Sequence, residues 1–89
     1  MVKHKDKRLK RILKDLQYCR KAIIRSFNET NKLKFDEEDS RDARESVDRD
    51  KELIKHIDPL IMAASELLGL EPPKLEKVPR VTIQHANQV

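Results

Sequence analysis

The feature that most restricts the fold of this chain is an apolar stripe with helical spacing in its first third. Seven residues recur mainly at intervals of three and four: Leu9, Ile12, Leu13, Leu16, Cys19, Ile23 and Phe27. At 100° per residue they fall on one side of an α-helix. Leu9, Leu16 and Ile23 also repeat every seven residues, as in a coiled-coil seam. The pattern predicts one long amphipathic helix over about residues 4–30.

A second helix is predicted over about residues 37–57. Asn28 and Asn31 favour the end of the first helix. Asp36 is suited to cap the next one, because three acids follow it in the positively polarised first turn. The predicted inner face carries Ala43, Val47, Leu53, Ile54 and Ile57. Since the connection is short, the two helices should be antiparallel neighbours.

Pro59 interrupts the second helical pattern. Proline removes an amide donor and clashes with the preceding turn, but it is favoured at the first position of a helix. With Asp58 as the N-cap, the sequence predicts a kink or a short third helix from Pro59 to Leu68, stopped by Gly69. This stretch is the most apolar of the chain and the predicted centre of the core, with Leu60, Ile61, Ala64, Leu67 and Leu68.

The predicted fold is all-α: an antiparallel helical hairpin with a short third helix over residues 1–70, then an extended tail over residues 71–89. Two or three helices in a chain of 89 residues leave apolar surface open, so we expect a homo-oligomer. The predicted core and self-association residues are Leu9, Ile12, Leu16, Ile23, Phe27, Val47, Ile54, Ile57, Ile61 and Leu68. Arg20 lies inside the stripe. Its preferred interpretation is a packed stem with the guanidinium in water, and the alternative is a pair with an acid on the partner helix.

The last twelve residues alternate as a β-strand does. Val81, Ile83 and His85 fall on one side, and the Pro-Pro step at residues 72–73 enforces an extended approach. No second strand is evident elsewhere in the sequence. We therefore predict that Val81 and Ile83 pair with another copy or another protein, with a flexible end as the alternative.

Charge is divided unevenly along the chain. Residues 1–34 carry twelve Lys or Arg against three Asp or Glu, whereas residues 35–58 carry five against ten. Most of the basic residues of the first helix fall on the arc opposite the apolar stripe, with Tyr18 among them. We call this arc the basic ridge: Lys3, Lys7, Lys10, Arg11, Lys14, Tyr18, Lys21, Arg25 and Lys32. A ridge of this kind suits phosphates, and a solvated helix face is the alternative.

The sequence contains no arrangement typical of an enzyme. It has no Gly-rich phosphate loop or nucleophile elbow, and His4, His56 and His85 lack the spacing of a zinc site. The acids at residues 36–39 lack a binding loop, so no metal or other cofactor is predicted. Cys19, the only cysteine, is predicted to pack as a small apolar group. A single cysteine, no secretory signal and no apolar span favour an intracellular, non-membrane protein.

These features predict a non-enzymatic protein that self-associates and binds the backbone of DNA or RNA through the basic ridge, at residues Lys3 to Arg25. In layout alone, a helical hairpin followed by a short strand, the chain resembles the oligomerisation core of viral DNA-packaging small subunits. That resemblance implies a ring or bundle of hairpins that contacts DNA. The alternative function is a protein-binding adaptor or inhibitor that uses the apolar third helix or the tail strand.

Overall fold

The computed structural model describes residues 3–86, with side chains described for residues 6–86. Helix α1 spans Lys3–Lys32, strand β1 Lys34–Phe35, helix α2 Glu37–Leu67 and strand β2 Gln84–His85. The predicted, mostly helical architecture is confirmed, and the two long helices form a hairpin. No helix within residues 3–86 combines the length and the apolar character that crossing a membrane requires.

The turn of the hairpin is fixed by local hydrogen bonds. The amide of Leu33 donates to the Thr30 carbonyl at 3.2 Å where α1 ends. Asp36 then caps α2, because its carboxylate accepts the Asp39 amide at 2.7 Å. The acids at residues 37–39 occupy the first turn, where the helix dipole stabilises negative charge. The predicted cap is therefore present at the predicted residue.

The short third helix predicted after Pro59 is instead the C-terminal part of α2. The helix continues through Pro59 to Leu67, so Pro59 lies in its interior. Gly69 ends the turn at a φ of 70°, and the amides of Gly69 and Leu70 donate to the carbonyls of Glu66 and Ser65. A left-handed residue at this position favours glycine, because glycine has no Cβ to clash.

The core lies along the seam between the two helices. Phe27 and Ile61 are completely buried at its centre. The remaining members of the buried apolar cluster are Leu13, Ile23, Val47, Ile54, Ile57 and Ala64, and Leu9, Leu16 and Leu68 pack partly against it. Two residues of the predicted stripe behave differently, since Ile12 is 52% exposed and Cys19 is exposed. Both lie at the edge of the stripe, where this chain supplies no cover.

Arg20 is buried in this core and is paired. Its Nε donates to Asp58 Oδ1 at 2.8 Å, and its Nη1 donates to the Glu76 carbonyl at 2.6 Å. The preferred interpretation, with the guanidinium in water, is wrong, because only 6% of Arg20 is exposed. The carboxylate and the carbonyl replace the lost water contacts, which makes the burial tolerable. Asp58 is therefore an ion-pair partner within α2 and not the N-cap that the sequence predicts.

The tail folds back onto the same chain. Strand β2 pairs with β1 in parallel, with Lys34 opposite Gln84 and Phe35 opposite His85. The tail also packs on the core through four half-buried apolar side chains, Leu75, Val78, Val81 and Ile83. The expectation that no second strand exists in this chain is wrong. A strand of two residues is too short to produce a recognisable alternation in the sequence.

The side chain of Asn31 holds the tail in the manner of a neighbouring strand. Its Nδ2 donates to the Arg80 carbonyl at 2.9 Å, and its Oδ1 accepts the Thr82 amide at 2.8 Å. The backbone carbonyl of Asn31 also accepts a bond from Gln84 Nε2. A primary amide offers one donor and one acceptor side by side, as a peptide group does. The Asn31 side chain therefore continues, beyond β1, the hydrogen bonding that holds the tail.

Replacing Asn31 by alanine should loosen the tail without unfolding the hairpin. We expect hydrogen exchange at the Thr82 amide to accelerate by about fivefold, because a side-chain hydrogen bond contributes about 1 kcal/mol. Exchange followed by NMR measures this directly. The matched control is Asn28→Ala, which changes an exposed asparagine one turn earlier in α1. An unchanged Thr82 exchange rate in Asn31→Ala would contradict this role.

Candidate nucleic-acid interface

The candidate interface is the basic ridge of α1. Every cation of the ridge that the structure describes is exposed: Lys7, Lys10, Arg11, Lys14, Lys21, Arg25 and Lys32. Tyr18 is 74% exposed among them. The side chain of Lys3 lies outside the described residues, although its backbone begins α1. From residue 7 to residue 25 the ridge extends about 27 Å at 1.5 Å per residue, so it presents a line of positive charge on one straight element.

An open groove of about 370 Å³ runs beside the middle of the ridge. The wall from α1 carries Lys14, Gln17, Tyr18 and Lys21. The opposite wall comes from the extended segment after the Pro-Pro step, with Lys74, Leu75 and Glu76, and Arg20 also borders the groove. Three exposed ammonium groups and one phenol ring therefore surround a single concave surface. Such a surface can bind an anion and hold a planar group at the same time.

Lys74 is the member of this site that the sequence does not reveal. It lies about fifty residues from the helix that it joins, and it follows an extended stretch with no periodic pattern. Its position depends on the bond between Arg20 and the neighbouring Glu76 carbonyl. The only local signal is the Pro-Pro step, which indicates an extended course but not the surface along which the chain runs.

Few of the ridge charges are neutralised within the chain. Among the described residues, Lys32 is the only ridge residue in an ion pair, and its Nζ lies 4.0 Å from Glu29 Oε1. Both side chains of that pair are exposed, where such contacts contribute little. The ridge therefore keeps a positive field that attracts anions from solution.

A second groove, of about 470 Å³, lies where the tail crosses α2. It is lined by Arg44, Val47, Asp48, Lys51 and residues 80–83. Asp48 sits among its three basic side chains, so its charge is mixed. Because of this mixed charge, the second groove is a weaker candidate for binding anions than the groove beside Tyr18. Its lining does show on which side of α2 the tail runs.

The remaining reactive side chains do not form a site. Cys19, His56 and His85 are exposed and lie on α1, α2 and β2 respectively. The side chain of His4 lies outside the described residues. Within the described part of the chain, no three His, Cys, Asp or Glu residues are grouped so that they could hold a metal ion. The acids at residues 36–39 instead cap and complement the start of α2.

Comparison with protein-family models, with curated proteins and with solved structures finds no match to this chain. The resemblance in layout to viral DNA-packaging small subunits therefore depends on the order of elements alone.

Proposed function

We propose that this protein is a non-enzymatic protein that binds the backbone of nucleic acid through its basic ridge. The observation that supports the proposal is the exposure of seven cations on one side of α1, only one of which has an acidic partner among the described residues. An ordinary solvated helix usually alternates acids and bases, and the ridge does not. An intracellular setting is part of the proposal, since it suits both nucleic acid and an exposed single thiol.

Binding of this kind depends strongly on salt. Each phosphate contact by a lysine or arginine releases condensed counterions. With about five phosphate contacts, the affinity for duplex DNA should fall by about 500-fold between 50 and 200 mM salt. The described ridge and Lys74 offer more than enough cations for five contacts. A salt titration therefore reports how much of the ridge is engaged.

Tyr18 adds a preference for unpaired bases. Its ring is exposed on the wall of the groove between Lys14 and Lys21. Stacking of one base on an aromatic side chain contributes about 1–3 kcal/mol and tolerates any base. The ridge has few side chains suited to reading base edges. We therefore expect binding with little sequence preference and with higher affinity for single-stranded segments.

Charge reversal on the ridge tests the proposal. The double variant Lys10→Glu/Lys14→Glu should lose binding to a labelled duplex and to labelled single strands in about 0.1 M salt, with an affinity loss of at least about 100-fold. Fluorescence anisotropy measures it. Arg41→Glu/Lys55→Glu is the matched control, because it changes two exposed cations of α2 and alters the net charge equally.

The control should bind within about threefold of the wild type, since long-range charge alone is screened in salt. Circular dichroism checks that both variants keep their helices. Retention of binding by the ridge variant contradicts the proposal. Equal losses in both variants would also contradict it, because they would show that only net charge matters.

The alternative function is a protein-binding adaptor or inhibitor. The exposed Leu60 and Leu67, in the C-terminal part of α2, favour it, because a leucine row can fit a partner's groove. The tail strand is a weaker basis, since β2 would have to leave β1 before it joined another sheet. Salt separates the two functions, because apolar docking does not weaken between 50 and 200 mM salt as phosphate binding does.

A further inference from the structure

The hairpin of α1 and α2 has two broad sides, and the tail covers only one of them. Along α1 the tail follows Gln17 and Lys21, which line the groove with residues 74–76. Along α2 it follows Arg44, Val47, Asp48 and Lys51, which line the second groove with residues 80–83. The Arg20–Asp58 pair, bonded to the Glu76 carbonyl, lies on this same side. We call the opposite side the open face; residues 74–76 and 80–83 of the tail do not lie on it.

Helical phase identifies the residues of the open face. On α1, Ile12, Cys19 and Ser26 lie about 140–180° around the helix from Gln17 and Lys21. On α2, Leu53, Leu60 and Leu67 lie about 140–180° from Asp58. All six residues are exposed. Each set therefore forms a row along its helix on the side that the tail leaves uncovered.

The middle of the open face, along these two rows, is mostly apolar in a chain that is 40% charged. The two rows themselves carry no charge, and Leu67 is 75% exposed. The same helical phase also places the exposed His56 between Leu53 and Leu60, and the charged Arg8 and Arg49 just beyond the ends of the rows. Between the two rows lie Ile23, Ile57 and Ala64, which the hairpin itself buries. Contiguous apolar surface of this kind marks a site of association in a soluble protein. Solvation alone does not explain three leucines in one row.

We propose that a second copy of this chain covers the open face and completes a four-helix bundle. Both rows repeat every seven residues, which is the spacing by which helices pack side by side. In this dimer the two-fold axis lies in the interface and parallel to the helices, which sets the α1 row of each copy against the α2 row of the other. The leucines of one copy then pack over Ile12 and Cys19 of its partner. The match is self-complementary, as a symmetric dimer requires.

The size of the face fits a dimer that dissociates on dilution. Two helices, each about 10 Å wide, over about 25 Å of length present about 500 Å² per copy. Both copies together bury about 1,000 Å², at the lower end of specific interfaces. The basic ridges also remain on the far sides of the two copies, so their repulsion does not oppose contact. This inference is independent of nucleic-acid binding, and either can fail alone.

Sedimentation equilibrium of the full chain over about a hundredfold concentration range tests the dimer. The wild type should change from the mass of one chain to twice that mass. Leu60→Asp should remain at the mass of one chain throughout, because an aspartate in the middle of the interface would be buried without a partner. Tyr18→Asp is the matched control, since Tyr18 is exposed on the ridge and should not alter the equilibrium.

Cys19 provides a second readout that does not depend on mass. Its alkylation should slow as the wild-type concentration rises, because the dimer covers the thiol, and should be independent of concentration in Leu60→Asp. If Leu60→Asp loses helicity, Leu67→Lys serves instead, at a position already 75% exposed. A wild type that is monomeric over the whole range overturns the proposal and favours a different protein as the occupant. A Leu60→Asp variant that still dimerises, with Cys19 still protected, overturns it as well.

Discussion

Replacing Arg20 by alanine is expected to lower the free energy of unfolding by about 3 kcal/mol. The substitution removes the guanidinium that bonds to Asp58 and to the Glu76 carbonyl, and it leaves two partly buried acceptors without this donor. Loss of one partner from a buried pair costs about 3–5 kcal/mol, and the partial exposure of Asp58 favours the lower value. Urea unfolding followed by circular dichroism measures the change.

A double-mutant cycle separates the pair from the packing of the arginine stem. Asp58→Ala should cost a comparable amount, because it leaves a guanidinium that is only 8% exposed with the Glu76 carbonyl as its remaining partner. The double variant should cost less than the sum of the single changes, with a coupling of at least about 1 kcal/mol. The control pair is Lys55–Glu52 at 3.1 Å, where both side chains are exposed and alanine substitution should cost less than about 0.5 kcal/mol. Zero coupling between Arg20 and Asp58 would show that the arginine acts only through its methylenes.

The same substitution bears on the candidate interface. Arg20 holds the carbonyl of Glu76, and the neighbouring Lys74 forms the outer wall of the groove beside Tyr18. One buried side chain therefore joins α1, α2 and the tail. The site that binds anions in our proposal therefore depends on a mostly buried residue at its border that is already engaged by Asp58 and the Glu76 carbonyl.

The helices and most of the core follow from local patterns. The stripe on α1 identifies its buried side because charged residues fill the remaining positions, and Asp36 marks the start of α2 because a carboxylate there satisfies a free amide. Six of the predicted core residues lie in the buried cluster of the structure: Ile23, Phe27, Val47, Ile54, Ile57 and Ile61. These features depend on neighbours within one or two helical turns, which a sequence displays directly.

The features that were predicted wrongly from the sequence depend on residues that are far apart along the chain. An arginine within an apolar stripe has no visible partner until α2 places Asp58 beside it. In the sequence, the strand at the end of the chain has no recognisable neighbour, because its partners Lys34 and Phe35 lie in a stretch with the pattern of a turn. The ridge cations are evident from spacing along α1, whereas Lys74 joins them only through the path of the tail. A local sequence pattern does not indicate which distant residues come into contact.

Pro59 shows how tertiary packing overrides a local signal. An Asp-Pro step ordinarily begins a helix, yet α2 passes through it without a break in the described structure. The carboxylate of Asp58 is engaged by Arg20, and the residues on both sides of Pro59 belong to one buried seam, with Ile57 and Ile61. Burial of that seam offsets the helical hydrogen bond that proline cannot donate.

Pro59→Ala should therefore stabilise the protein. Proline in a helix interior is about 3 kcal/mol less favourable than alanine. Proline also restricts the unfolded chain, which stabilises the folded state by up to about 1 kcal/mol and offsets part of that cost. We expect the free energy of unfolding to rise by about 2 kcal/mol, because the new amide at residue 59 donates to the Lys55 carbonyl. Pro59 is exposed, so the change leaves no cavity. Urea unfolding measures the difference.

Pro72→Ala is the control for the effect of proline on the unfolded chain alone. Pro72 is exposed in the extended segment, where alanine gains no helical bond, so stability should fall by less than about 1 kcal/mol. The sign of the Pro59→Ala effect decides between the two architectures. If Asp58 capped a separate helix with Pro59 at its first position, alanine would lose a preorganised residue and stability would stay level or fall. A rise at residue 59 together with a fall at residue 72 is the result that a single helix through Pro59 requires.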